Sequence, residues 1–181
     1  AMMVSVTAVY AQKSEEAIKK AVANTKAACE NPKKAGNPAT WINYAKANIE
    51  AYNAVQGNGW VGGNRSELQL IMAGIKPTET VTETVAGTDY TVDVYPNCKY
   101  YFNAAGVLQM IVVTRPYVEN ALVNAREAYA KAAECDVKGA KTKDINDGLT
   151  KIAEHFQNEA MNAYQFGDLK LSSALFGESA A

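Results

Sequence analysis

The chain has 181 residues, enough for one sizeable domain or two small ones with a hydrophobic core. Its 18 Lys and Arg nearly balance its 19 Asp and Glu, so charge gives no reason to expect nucleic acid or an anionic membrane surface as a partner. Cys29, Cys98 and Cys135 form no CxxC motif. We therefore expect buried free thiols rather than a disulfide framework or a zinc site. A single disulfide bond between two of the three is the alternative.

The first eleven residues are uncharged and largely apolar. Val9 and Ala11 are small residues at the two positions that a signal peptidase reads, and a charged segment follows at once. Residues 1–11 therefore predict the remnant of a secretory signal, and with it an exported, periplasmic or outer-membrane-associated protein. The alternative is an apolar first helical turn that docks on the core. No other stretch approaches the roughly 20 apolar residues of a membrane span.

Hydrophobic spacing of three and four residues predicts helices along most of residues 12–181. Ser14 is a suitable N-cap for the first helix, and Pro38 suits the first position of the second. The predicted helices cover residues 14–30, 38–55, 68–75, 116–135, 142–166 and 169–178. Between them, residues 78–114 are rich in Thr, Val and Tyr, which favours a hairpin or a meander of two or three strands, with Gly106 in a hairpin loop.

Two helices share one spacing of small and aromatic residues. Ala125, Tyr129 and Ala132 lie at offsets of four and three, and Ser172, Phe176 and Ser179 repeat those offsets. Small residues allow two helix backbones to approach closely, and an aromatic ring fills the gap between them. The spacing therefore indicates a repeated helix pair.

These residues resemble those of tetratricopeptide repeat (TPR) proteins. Trp41, Tyr44 and Ala45 match the first-helix signature, and Ala125, Tyr129 and Ala132 match the second. The interruption by residues 78–114 resembles the exported Bacteroidetes form of the family, with its β-hairpin insertion. Glu159, however, stands where a leucine is usual.

The resemblance implies a mainly α fold: a TPR-like α-solenoid of antiparallel helix pairs over residues 12–181, with a small β insertion at about 78–114. The repeats would pack through small and aromatic residues. These are Trp41, Ala45, Ala125, Tyr129, Ala132, Phe156, Ala160, Gly167 and Phe176. Because two repeats are few for such a stack, we expect further repeats, or an oligomer contact, after Ala181.

The resemblance also implies a groove for a protein or peptide on the first helices of the repeats. Its residues would be Asn43, Lys46, Glu50, Gln157, Met161 and Tyr164. From the residues themselves, Met161 and Tyr164 fit the core equally well. Ile42 occupies a position of the family's carboxylate clamp, which argues against a receptor for chain termini.

No motif for catalysis, a metal or a cofactor is found. His155 is interpreted as a helix-surface histidine, and residues 144–148 as helix rather than a calcium loop. Trp60 is expected to anchor its glycine-rich loop in the core, with stacking on a sugar as the alternative. Residues 108–113, apolar on both faces, require cover from helices or from a partner.

The sequence thus predicts a non-catalytic scaffold of the cell envelope that binds a protein or peptide. One alternative is a structural assembly subunit that uses the hairpin and the C-terminal helix as interfaces. The other is the N-terminal binding part of a larger envelope enzyme.

Overall fold

The computed structural model describes residues 13–57, 59–71 and 75–180. Six helices and four strands occur in the described ranges. The helices are α1 (Glu15–Glu30), α2 (Pro38–Gln56), α3 (Arg65–Ile71), α4 (Ala121–Cys135), α5 (Thr142–Gln165) and α6 (Leu169–Ala180). The strands are β1 (Glu79–Val85), β2 (Thr88–Val94), β3 (Cys98–Phe102) and β4 (Leu108–Val113). The predicted signal remnant at residues 1–11 lies outside the described residues.

The predicted fold class, an α-solenoid with a minor β-hairpin, is wrong. The described residues form six helices together with one four-stranded antiparallel sheet, and no solenoid of helix pairs is established. The sheet is a structural layer in its own right, because two of the four hydrophobic clusters belong to it. Its central strands carry apolar side chains on both faces, so both faces of the sheet must pack against other parts of the protein. A hairpin inserted on the surface would not have packing on both faces.

The helices pack in the order α1, α2, α4, α5, α6. Cys135 Sγ at the end of α4 lies 3.5 Å from the carbonyl oxygen of Ala35, just before α2. Asn124, near the start of α4, lies 3.4 Å from Asn48 in the second half of α2. The two helices therefore run antiparallel. Their shared core holds most of the predicted packing residues, and Trp41 packs against it.

Phe176 is an exception among the predicted packing residues. It is 41% exposed, whereas its neighbour Leu175 packs against the helical core. Ser172 is buried, as expected of a small residue in a helix that packs against α5. The predicted spacing therefore placed the serine correctly and the aromatic side chain on the wrong face of α6. Gly167, with a φ of +77°, follows α5 and allows the turn into α6.

The sheet is a meander with strand order β1-β2-β3-β4, each pair antiparallel. Ala86 and Gly87 join β1 to β2, both with positive φ, which is the geometry of a two-residue type I′ turn. One face packs Leu68 of α3 against Tyr100 and Leu108. The other face carries Val92, Tyr101 and Met110. Leu108 and Met110 are fully buried within the chain, whereas the other residues of 108–113 are half-buried.

Helix α5 joins the two layers. Asn162 donates a hydrogen bond of 3.1 Å to the carbonyl oxygen of Ile111 in β4. Just beyond the helix, the ring of Phe166 meets the edge of Tyr101, with 5.4 Å between centroids. Helix α5 therefore borders the helical core on one side and the sheet on the other, and a cleft forms where it crosses β4.

Candidate functional site: a cleft between the helices and the sheet

Two adjoining cavities lie where the helices meet β4, and we call them together the helix–sheet cleft. The inner cavity, of about 310 Å³, lies among α2, α4 and α5. The outer cavity, of about 320 Å³, lies between β4, α5 and α6. Val113, Glu159 and Leu175 line both. These three residues therefore mark the junction of the two cavities.

Most of the lining is apolar. Val55, Leu122 and Phe156 form part of the inner wall and are themselves buried. Phe166 and Leu171 line the outer cavity and are 41% and 48% exposed. The apolar surface thus continues from the core to the protein surface, and an apolar group in the cleft would be drawn from water onto it.

Glu159 is the ionisable side chain at the junction. It lies one helical turn after Phe156 on the side of α5 that faces the core, a position where an apolar residue is expected. Burial raises the pKa of its carboxyl group above the usual range, and an interaction with the Tyr52 hydroxyl partly offsets that rise. The carboxyl group therefore carries a desolvation cost that a cationic or hydrogen-bonding ligand would relieve.

Tyr52 lines the inner cavity together with Glu159, and His155 packs against the Tyr52 ring. The Tyr52 ring lies 4.8 Å from the His155 ring, centroid to centroid. Burial is the main cause that raises the pKa of the Tyr52 hydroxyl and lowers the pKa of His155. Both groups are therefore neutral at pH 7, and the Tyr52 hydroxyl interacts with the Glu159 carboxyl group as a neutral phenol. The contact with Tyr52 half-buries His155, which is therefore partly enclosed on its helix.

The outer cavity adds two further polar residues. Asn162 lines it while its amide donates to Ile111, and Asp168 lies at the start of α6. The Asp168 carboxylate accepts a hydrogen bond from the backbone N–H of Leu171, 2.9 Å away, and so caps the helix. Both side chains already make hydrogen bonds within the protein. Glu159 is therefore the acceptor best placed to bind a ligand.

The polar groups of the cleft are of the kinds that bind a ligand by charge and hydrogen bonds. The lining offers two carboxyl groups, two carboxamides and one phenol, which belong to Glu159, Asp168, Asn120, Asn162 and Tyr52. Among the described residues, no three His, Cys, Asp or Glu side chains cluster as metal ligands would. Residues 144–148 lie in the first turns of α5, as the sequence predicted.

None of the six predicted groove residues lines the helix–sheet cleft. Lys46 borders a separate depression of about 350 Å³ with Ile49, Tyr129 and the first half of α5. Glu50 is held by Lys13, at 2.6 Å. Asn43 is exposed on α2. Gln157, Met161 and Tyr164 are exposed on the second half of α5, further along the helix than the part that lines the depression. The six-residue groove remains a prediction.

Trp60 does not anchor its loop in the core, since it is 45% exposed. The anchor is instead Tyr100 of β3, whose hydroxyl donates to the carbonyl oxygen of Gln56 and accepts from the Gly59 N–H at 3.1 Å. A Cβ at Gly59 would come within 2.5 Å of the Tyr100 ring. The glycine-rich loop is therefore shaped by the tyrosine that packs on it.

Comparison of the chain with protein-family models, curated proteins and solved structures finds no match. The comparisons neither support nor exclude the resemblance to TPR proteins. No helix in the described ranges is long and apolar enough to cross a bilayer.

Sequence reasoning missed the cleft, although one signal for it was present. Glu159 occupies a leucine position in the helical pattern, and an acidic residue on an apolar stripe is a reason to suspect a site. Its partners lie far away in sequence, on α2, β4 and α6. Periodicity does not show that four such segments meet.

Proposed function

We propose that this protein is a non-catalytic binding module that holds a peptide segment of a partner protein in the helix–sheet cleft. The segment would place apolar side chains in the two cavities and a Lys or Arg side chain against Glu159. The observation that carries the proposal is the Glu159 carboxyl group at the junction of two apolar cavities. A carboxylate there costs folding stability, and a cationic ligand would recover that cost.

The size of the cleft also favours a peptide. Each cavity, at 310–320 Å³, lies at the small end of the range of about 300–1,000 Å³ for ligand pockets. Two such cavities separated by a carboxyl group match two apolar side chains on either side of a basic one. Phe166 and Leu171, which line the outer cavity and are partly exposed, continue the apolar contact surface to its mouth.

Selection from a random displayed-peptide library on the full chain tests the proposal. Enriched peptides should carry a Lys or Arg between apolar residues. Glu159→Gln should weaken their binding about tenfold, because it removes the charge and keeps the shape. Leu171→Asp should weaken binding by placing a carboxylate at the apolar mouth of the outer cavity.

Variants on the predicted helical groove serve as matched controls. Lys46→Ala and Met161→Asp alter exposed residues outside the cleft, so they should leave peptide affinity unchanged. The opposite result would contradict the proposal. If the peptides bind the Glu159→Gln and Leu171→Asp variants as tightly as the native chain but lose affinity for the Lys46 and Met161 variants, the binding site is the predicted groove and not the cleft.

The structural-subunit alternative has one observation in its favour. Leu169, Leu171 and Phe176 leave apolar surface exposed on α6, and such a patch marks a contact surface in many proteins. Light scattering and peptide binding on the Phe176→Ser variant separate the alternatives. Peptide capture that the variant retains favours the binding module, and a stable oligomer that the variant loses favours the subunit.

The proposal places the module in the cell envelope, in the periplasm or at the outer membrane. Its support is the signal-like sequence of residues 1–11. N-terminal sequencing of the protein isolated from its own cells tests this address. A mature chain that begins at residue 12 is expected, and one that retains residues 1–11 in the cytosol would contradict it.

A further inference from the structure

The outer edge of β1 is the open edge of the sheet within the described residues. The opposite edge, on β4, is covered: Gly62 N–H donates to the carbonyl oxygen of Leu108 at 2.8 Å, and Leu108 N–H donates to Gly63 at 2.9 Å. Asn162 then covers the carbonyl oxygen of Ile111. By contrast, β2 is the one strand that pairs with β1 in the described part of the chain.

Strand β1 lacks the usual protection of an open edge. Natural edge strands are shortened, bulged or broken by Pro or Lys to prevent pairing with another chain. β1 is seven residues long, pairs with β2 without a register shift, and contains neither Pro nor Lys. Of its two acidic residues, Glu79 is the first residue of the strand. Glu83 is neutralised on the face that carries Tyr101, where it accepts hydrogen bonds from Lys99 and the Tyr101 hydroxyl, both at 2.7 Å.

The hydrogen bonds of β2 show which backbone groups of β1 face outward. Tyr95 N–H donates to Cys98 towards β3, whereas the carbonyl oxygen of Val94 accepts from Thr78 towards β1. Because ladder bonds alternate along a strand, the β1 residues opposite Val94, Val92 and Tyr90 bond inward. The residues between them are Thr80, Thr82 and Thr84, and their N–H and C=O groups therefore point away from the sheet. All three are exposed.

We propose that a second copy of this chain pairs with β1 in antiparallel register about a two-fold axis at Thr82, which joins two four-stranded sheets into one. In this register Thr82 lies opposite the partner's Thr82, and Thr80 lies opposite the partner's Thr84. All three outward-facing residues then find backbone partners. Threonine pairs across strands are also favourable.

Charge selects this register over its neighbours. With the axis at Thr82, each glutamate lies opposite a valine: Glu79 opposite Val85, and Glu83 opposite Val81. An axis at Val81 would set Glu79 against Glu83, and an axis at Glu83 would set two Glu83 side chains against each other. Like charges directly opposite destabilise strand pairing. The register with the axis at Thr82 avoids both repulsions, and it also satisfies the most hydrogen bonds.

The first test removes one outward donor. Thr82→Pro lacks the N–H that bonds the second copy, while the ladder to β2 does not use that group. Sedimentation at about 1–500 µM, the range for a small interface, should show a dimer for the native chain and for Thr82→Val, and a monomer for Thr82→Pro. A monomeric native chain throughout this range would overturn the proposal.

A charge exchange tests the same contact without a proline. Thr82→Lys and Thr82→Glu each place like charges at the two-fold axis, so each should weaken self-association about fivefold or more. Mixing the two variants should restore the dimer, because Lys then faces Glu. If both variants dimerise as the native chain does, the contact lies elsewhere. If the native chain pairs only with foreign extended peptides, β1 is a docking edge for a different partner and the proposal fails.

Cross-linking tests the register in a Cys135→Ser background. Opposed residues of a bonded pair lie about 5.5 Å apart at Cα, within the disulfide range of about 4.4–6.8 Å. Thr82→Cys should therefore form a disulfide-linked dimer on mild oxidation. Thr80→Cys should not, because the two copies of that residue would be about 14 Å apart, four residues along the strand direction. The reverse pattern would exclude this register.

Discussion

The ring of Tyr129 in α4 occupies the space that a side chain at Gly148 in α5 would need. A Cβ built at Gly148 would overlap the ring carbons and the hydroxyl of Tyr129, which is 2% exposed in the helical core. The glycine therefore sets how closely α4 and α5 approach, although glycine inside a helix costs about 1 kcal/mol relative to alanine.

Gly148→Ala should destabilise the protein by about 1–2 kcal/mol, because overpacking costs about 1–3 kcal/mol and exceeds the helix-propensity gain. Urea unfolding measures the change. Gly177→Ala in α6 is the matched control, since nothing lies within 4 Å of its Cβ position, and it should leave stability equal or slightly higher. A Gly148→Ala variant as stable as the control would show that Tyr129 moves aside freely.

Glu159→Gln should raise stability at pH 7, because it removes a carboxyl group that burial penalises in its charged form. Burial raises the pKa of this carboxyl in the folded state, so the folded state binds its proton more tightly than the unfolded state does. Stability from this group is complete below the ordinary carboxyl pKa of about 4.5 and is lost as the pH rises through the folded pKa.

The glutamine variant should therefore show its gain at pH 7 and little change at pH 4, measured by urea unfolding at both values. Glu178→Gln is a useful contrast, because Glu178 is paired with Arg126 and its loss should not stabilise the protein at pH 7. A stability loss for Glu159→Gln at pH 7 would mean that Tyr52 stabilises the carboxylate more than burial penalises it.

Arg65→Ala should destabilise the protein by about 3 kcal/mol, because it leaves Asp93 as a buried carboxylate without its counter-ion. The Asp93 side chain is 1% exposed and accepts two hydrogen bonds from Arg65, at 2.9 and 2.6 Å. Thr80 donates a third, at 2.6 Å.

The double variant Arg65→Met with Asp93→Asn should lose much less stability than the sum of the two single changes, measured as a double-mutant cycle. Lys13→Ala is a control from an exposed pair with Glu50 and should cost at most about 1 kcal/mol. Additive losses at Arg65 and Asp93 would show that the pair does not act as a unit.

Cys135 should react first with a thiol reagent in the native protein. All three cysteines are free, and Cys29 and Cys98 are buried whereas Cys135 is half-buried. Burial raises the pKa of Cys98 to about 12 and raises the pKa of Cys29, and a thiol reacts as its thiolate. Mass spectrometry after brief labelling should find one modified site, absent in Cys135→Ser. Prompt labelling of Cys98 would contradict the burial of β3.

Most helix boundaries were predictable because they depend on neighbours in sequence. Ser14 accepts a hydrogen bond from the Ala17 N–H at 3.2 Å, and Pro38 opens α2, as predicted. The strand-rich character of residues 78–114 was also visible. The prediction of two or three strands fell short because β1 is a run of Thr, Val and Glu whose partner β2 is joined through Ala86, a residue that seldom takes a positive φ.

The sequence alone determined where most helices start and stop, and that small residues and aromatics would pack between helices, because capping and periodicity act within a few residues. Tertiary structure decided the rest. It made the strands a full sheet, placed Glu159 between two cavities and left β1 open, because each of these depends on which surfaces of distant segments meet and which meet water.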